Sequence, residues 1–320
     1  MPRSSGRPSA ASGPALYGGL LVGIVAVSGS AVFVKLSGLS AANIAAGRMT
    51  LAVLLMAPFA LRPAWRAWKD LGRKEAALLV LAGVGLGVHF AVWVASLKYI
   101  SVASSVILVT TSPLFVSLGS RFWLKEPLSR RLIVGMVVAG AGAACIAWTD
   151  ARGPGHRLTG DLLALAGAVM FSIYLLAGAR LRKTLSTAAY TFPLYVICAG
   201  FLLLLAAGPN PGGLWEFARA DGREWTLLLL MAVVPTLIGH NCLNWVLGRL
   251  SSPVVATAIL GEPVLAPVFA YFFLGEGISA DLAVGGGLIL AGVLVAVAGA
   301  ASGAASGSAG FGLDRRMGGD

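Results

Sequence analysis

The sequence predicts an all-α membrane protein: ten transmembrane helices in two inverted five-helix repeats, with both termini on the cytoplasmic side. Three observations predict it. The 320 residues are 58% hydrophobic and only 12% charged, with a mean hydropathy of +0.86, whereas a soluble domain carries about 25% charge. The apolar residues fall into runs near the roughly 20 residues that a membrane-spanning helix needs. The basic residues, and a set of polar and proline residues, recur along the chain in a way that sets orientation and symmetry.

The runs lie at 15–36, 42–61, 76–97, 102–123, 132–149, 161–179, 188–207, 225–247, 252–274 and 281–301. Each must be helical, because an open strand edge leaves its backbone groups unsatisfied in lipid. Ten helices use roughly 200 residues, so the remaining loops and tails leave no room for a soluble domain. Arg3 and Arg7 followed by an apolar run resemble a signal peptide, but the run is long and others follow, so it reads as an uncleaved first span. Residues 1–14 and 303–320, rich in Gly, Ser and Ala, are expected to be disordered cytoplasmic tails. Cys145, Cys198 and Cys242 lie inside apolar runs without paired or metal-ligand spacing and read as small buried hydrophobes.

The net charge of +11 comes from 24 basic residues spread thinly through an oily chain, which is not the basic patch of a nucleic-acid binder. With the N-terminus inside, about 17 of them fall on inner segments, from Arg62, Arg66, Lys69, Arg73 and Lys74 to Arg180, Arg182 and Lys183. About 7 fall outside: Lys35, Arg48, Lys98, Arg152, Arg157, Arg219 and Arg223. Cytoplasmic loops carry the excess of Lys and Arg. Trp65, Trp68, Trp123, Trp148, Trp215 and Trp225 fall near span ends, where interfacial belts lie, while Trp93 and Trp245 lie deeper.

A shift of 150 residues brings Ser101 onto Ser251, Pro113 onto Pro263, Glu126 onto Glu276, Ser129 onto Ser279, Gly135 onto Gly285 and Gly142 onto Gly292. One gap earlier, His89 meets His240. The units are 15–149 and 150–302, each of five spans; an odd number means that the second enters the membrane upside down, with Glu126 inside and Glu276 outside. Inverted repeats suit alternating access.

The strings Leu124-Lys125-Glu126-Pro127-Leu128-Ser129 and Leu274-Gly275-Glu276-Gly277-Ile278-Ser279, followed by Gly135 and Gly285, resemble those of the drug/metabolite transporter superfamily, specifically ten-span proteins made of two EamA domains. Arg48 opening the second span, the stretch His89 to Pro113, Gly160-Asp161 and Glu262-Pro263 fit the same pattern. The resemblance covers about residues 15 to 302. It implies an exporter of amino acids or other small metabolites, with an aromatic-amino-acid branch and relatives that carry sugars or their derivatives.

Ionisable groups deep in a membrane are costly and mark function. Glu262 is the one carboxylate well inside an expected span, and Pro263 beside it removes a backbone donor and should break the ninth helix, as Pro113 should break the fourth. Glu262, His89 and His240 are the candidates for proton coupling. His89 with Trp93, and His240 with Asn244, share helix faces four residues apart and offer polar groups and an aromatic wall to a small zwitterion. Thr111 and Ser112, nearest the Pro113 break, are further contact candidates, although such hydroxyls also bond their own helix. Tyr174, Tyr190 and Tyr195 are either donors to the path or core. Arg48 is expected to snorkel or pair near the outer surface, with an anionic gate contact as the alternative, Glu126 and Glu276 to organise loops or latch a gate, and Asp161 and Asp281 to cap helices.

The expectation is therefore a secondary transporter of the plasma (inner) membrane that exports small metabolites, above all amino acids, with drug-cation efflux or sugar-derivative transport as the alternative. Glycines here form no nucleotide loop, which argues against ATP-driven transport. No cofactor, metal or nucleic acid is expected; the partners are a small-molecule substrate and the lipid bilayer, with a monomer as the working unit. An embedded enzyme would need a nucleophile with its base or a metal cluster, and a scaffold would not need two histidines and a Glu-Pro break in matching repeats.

Overall fold

A computed structural model describes residues 13–124, 130–152, 155, 157–208, 213–249, 255 and 259–295. The described residues form helices and connecting turns. Among the described residues, seven helical stretches are long and apolar enough to cross a membrane: Pro14–Leu36, Ala41–Trp68, Arg73–Ser96, Val102–Gly119, Arg157–Leu181, Thr187–Ala207 and Gly222–Leu247. Three shorter apolar helices, Ile133–Thr149, Ile259–Leu274 and Ala280–Val295, lie where the fifth, ninth and tenth runs were read. The outward faces carry bulky apolar side chains such as Phe59, Leu204, Phe272 and Phe273, a surface that lipid rather than water must cover. The chain is a multi-pass membrane protein. The tail residues 1–12 and 303–320 and the loop holding Glu126 lie outside the described residues.

The elements used below are α1 (Gly13–Ser28), α2 (Ser30–Leu36), α3 (Ala41–Trp68), α4 (Arg73–Ser96), α5 (Val102–Val109), α6 (Ser112–Leu124), α7 (Arg130–Arg152), α8 (Arg157–Leu181), α9 (Thr187–Ala207), α10 (Trp215–Arg219), α11 (Gly222–Met231), a π-helical segment (Ala232–His240) and α12 (Asn241–Leu247). A 3₁₀ turn (Ile259–Gly261) then leads into α13 (Glu262–Leu274), and α14 is Ala280–Val295. Serines start several of them: Ser40, Ser101, Ser186 and Ser279 each accept a bond from a backbone N–H three residues on, filling one of the donors that a helix start leaves open.

Two helix starts have a common chemistry. Pro113 cannot donate to Val109, and its ring disfavours helix at Ser112. α5 therefore stops at Val109, the hydroxyls of Thr110 and Thr111 fold back onto the carbonyls of Val106 and Leu108, and α6 restarts with Pro113 in its first turn. In the other half, Pro263 sits in the first turn of α13, directly after the 3₁₀ turn.

Helices from the two halves of the chain pack against each other. α3 lies on α9 and α5 on α13, while the α4–α8 contact is mirrored by α1 against the π segment and α12. α7 and α14 cross antiparallel through glycine, Gly142 facing Gly285 and Gly135 facing Gly292. A shift of 150 residues carries Gly142 onto Gly292 and Gly135 onto Gly285, so it turns the first contact into the second.

Two expectations are corrected here. Asp161 does not cap the sixth span: α8 begins at Arg157, one turn earlier, and Asp161 is buried within it. Ser279, not Asp281, caps α14.

Candidate functional site

A cavity lies between the halves. Its wall is built from Val27 and Ser30 of α1 and α2, His89, Phe90 and Trp93 of α4, Val109 and Thr110, Ser112 at the start of α6, Phe171 of α8, His240 and Leu243, and Ile259 with Glu262. It encloses about 40 Å³, room for about three waters, against the roughly 300 Å³ or more of a small-molecule pocket. A solute of amino-acid size therefore requires the walls to part.

The structure brings His89, Trp93, Ser112, His240 and Glu262 onto this one wall. Thr111 is off it, its hydroxyl donated to Leu108 O at 2.8 Å; Thr110 lines the cavity instead. Asn244 is also off it, accepting from the Tyr174 hydroxyl at 2.7 Å in a separate buried cluster. Pro113 and Pro263 set the helix starts that deliver Ser112 and Glu262 rather than lining the wall themselves. The tyrosines are core: Tyr174, Tyr190 and Tyr195 are fully buried, and Tyr195 donates to Asn241 Oδ1 at 3.1 Å.

His89 Nδ1 is 2.9 Å from the carbonyl of Gly167. A carbonyl only accepts, so Nδ1 carries the proton and Nε2 is an acceptor while the ring is neutral. The ring lies parallel to Trp93, with centroids 6.1 Å apart, and touches Phe171 at 5.0 Å. His240 meets Phe90 edge-on at 5.4 Å. Among the described residues its Nδ1 has no hydrogen-bond partner, although the side chain is buried and faces the cavity.

Arg48 does not snorkel as the first expectation had it: it is buried between the helices, 0% exposed. It stands seven residues into α3, which at 1.5 Å per residue puts it about 10 Å below the helix start; that depth was the available signal. Its Nε and Nη2 donate to Thr236 Oγ1 at 3.3 and 2.9 Å, Nη1 donates to Ser30 Oγ at 3.1 Å, and the guanidinium lies 4.3 Å from the Phe90 ring centre. The π segment explains Thr236. Pro235 has no N–H for the carbonyl of Met231 four residues back. The Thr236 hydroxyl takes that carbonyl at 2.9 Å, leaving its lone pairs for Arg48.

Above the cavity, one end of the bundle is closed by a polar network between the halves. Glu276 Oε1 is 3.5 Å from Lys35 Nζ, and its Oε2 accepts from Val102 N at 2.8 Å, at the start of α5. Lys35 also donates to Ile100 O at 2.8 Å. Glu224 accepts from the Ser37 hydroxyl and Gly38 N, and Arg223 and Lys98 donate to the carbonyls of Leu36 and Ser37. Glu216 accepts from Ser40 N and Asn43 Nδ2, both at 2.8 Å.

Glu216 gives this network a pH signature. Burial pushes its carboxyl up, but the bonds from Ser40 and Asn43 and the charge of Lys98 outweigh burial and hold it below the ordinary 4.5. A carboxyl lowered in the folded state contributes stability above its unfolded pKa and loses it as pH falls through the folded value. Wild type should therefore lose more stability between pH 5 and 3 (an interval of about 2 units around that carboxyl range) than Glu216→Gln does. Equal acid slopes in detergent melting curves would rule this out.

At the level of the whole chain, the EamA-like transporter family pattern matches residues 15–148 and 158–298. The chain belongs to the EamA-like transporter family. An uncharacterized transporter of Archaeoglobus fulgidus is 26% identical over 85% of this chain and 93% of its own length. A probable terminal-alkyne amino-acid exporter of Streptantibioticus cattleyicolor is 28% identical over 62% of this chain and 64% of its own. A crystal structure superposes with a TM-score of 0.61 at 20% identity, covering 89% of this chain and 97% of that one, a likeness of fold. This EamA transporter thus has its two family repeats meeting at the cavity, with each contributing wall residues.

Proposed function

We propose that this transporter exports a small metabolite, an amino acid above all, across the inner membrane by alternating access. The observation that carries the proposal is the central cavity, lined by both halves and furnished with Glu262, two histidines, hydroxyls and aromatic rings. The three shorter apolar helices support ten spans, with both termini cytoplasmic by the basic-residue bias. The self-complementary α7–α14 crossing supports an inverted second repeat. In this orientation the Glu276 network is the outer gate, closed. The resemblance to an amino-acid exporter supports the substrate class.

Glu262 is the coupling group: one carboxylate that takes a proton from one side and releases it on the other exchanges proton for solute. The aromatic surroundings of Glu262 also suit an organic cation, and the same assay separates the two. Purified protein in proteoliposomes is offered labelled amino acids and an organic cation, with and without a pH gradient. Glu262→Gln should abolish gradient-driven accumulation while the protein stays folded; unchanged coupling would end the carrier role. His89→Ala should cut uptake at least about tenfold, as loss of a buried polar contact does, and full retention would count against the cavity as the site.

A further inference from the structure

We infer that Arg48 is the anion-binding pole of the cavity and Glu262 its cation-binding pole, so that the site selects a zwitterion by both ends at once; this rests on the reading of the cavity as the transport site. Arg48 is fully buried, and among the described residues none of the ion pairs includes it. A buried guanidinium without a carboxylate is costly, and here only two neutral hydroxyls and a ring compensate it. A guanidinium has five N–H donors; among the described residues three bonds are made. Among the described residues two of its N–H groups make no bond, and Arg48 stands behind the cavity wall rather than on it. Phe90 covers the face of the guanidinium, whereas a carboxylate binds in its plane, along the N–H edge. Ser30, which accepts from Nη1, itself lines the cavity, so one hydroxyl separates the charge from the space. Glu262 lines that cavity from α13, and among the described residues none of the ion pairs joins it to Arg48.

A solute that fills both poles replaces the Ser30 hydroxyl on Arg48 with its carboxylate and sets its ammonium against Glu262. Phe90, Trp93 and Phe171 then surround its side chain. An amine lacks the first contact and an acid lacks the second, and each leaves a buried charge unmatched.

The test uses full-length protein in proteoliposomes and two probe sets: L-phenylalanine, phenethylamine and 3-phenylpropionate, then L-leucine with isopentylamine and 4-methylpentanoate. Wild type should take the amino acid at least about tenfold better than either one-pole analogue, the margin of one charge-assisted bond. Arg48→Gln should remove the preference of amino acid over amine, Glu262→Gln the preference of amino acid over acid, and Arg48→Lys should keep part of the first. Selectivity ratios within one variant are independent of how much protein folds, and the wild-type ratios need no variant at all. Wild type that carries the amino acids, with an amino-acid-to-amine ratio unchanged in Arg48→Gln, overturns the anion pole and leaves the transport site standing. Wild type that carries the amines and neither amino acid overturns the substrate class and the two-pole site together.

Discussion

Gly142→Ala and Gly292→Ala should each lower stability by about 2–3 kcal/mol, the cost of forcing extra volume into a packed contact. A Cβ at Gly142 would lie 2.5 Å from Gly285 O and 2.9 Å from Ile289 N; one at Gly292 would lie 2.5 Å from Ala139 N and 2.6 Å from Gly135 O. The obstructing atoms are backbone, which cannot swing aside as a side chain can. α7 and α14 would have to separate, and in lipid their association rests on that close approach, because hydrocarbon supplies no hydrophobic drive. The two changes act on one crossing, so their double variant should lose less than the sum. Gly140→Ala is the control: nothing lies within 4 Å of its Cβ position, and alanine should gain about 0.5–1 kcal/mol from helix propensity. Melting temperatures in detergent decide it; equal shifts at 140 and 142 would remove the crossing from the account.

Glu276→Ala should open the closed end of the bundle. It removes the Lys35 ion pair, whose partners are 25% and 24% exposed, and the bond from Val102 N at 2.8 Å. The first contributes up to about 1 kcal/mol and the second about 1 kcal/mol. Together they change the closed-to-open ratio roughly thirtyfold. Ser30→Cys, in a background free of Cys145, Cys198 and Cys242, reports it: a membrane-impermeant maleimide should label the Glu276→Ala protein many times faster than its parent. Glu276→Gln keeps an acceptor for Val102 N and loses the charge, so its effect should be smaller. Labelling unaffected by both would mean that the network organises loops without gating.

The spans were legible because a lipid-facing helix has one requirement, an apolar run of sufficient length, and the sequence meets it locally. The helix starts at Pro113 and Pro263 were legible for a similar reason: a missing N–H is a local fact. Glu262 and the two histidines stood out as polar residues in such runs. The burial of Arg48 was not legible, because seven residues of depth look superficial when the helix start is uncertain. The stacking of Phe90 and Phe171 about His89 and His240 was invisible because one phenylalanine in an apolar run resembles any other.

What the sequence determined alone is the class of molecule: apolar helices of membrane-spanning length, with prolines at the start of two of them. Each follows from chemistry between near neighbours in the chain. What the tertiary structure decided is which charges meet. Thr236 reaches Arg48 across 188 positions, and Glu276 reaches Val102 across 174. Such pairings depend on how helices from the two halves cross, and on π and 3₁₀ turns that aim single side chains. The same few polar residues placed one helix face away would face lipid, so their number could be read from the sequence and their partnership only from the fold.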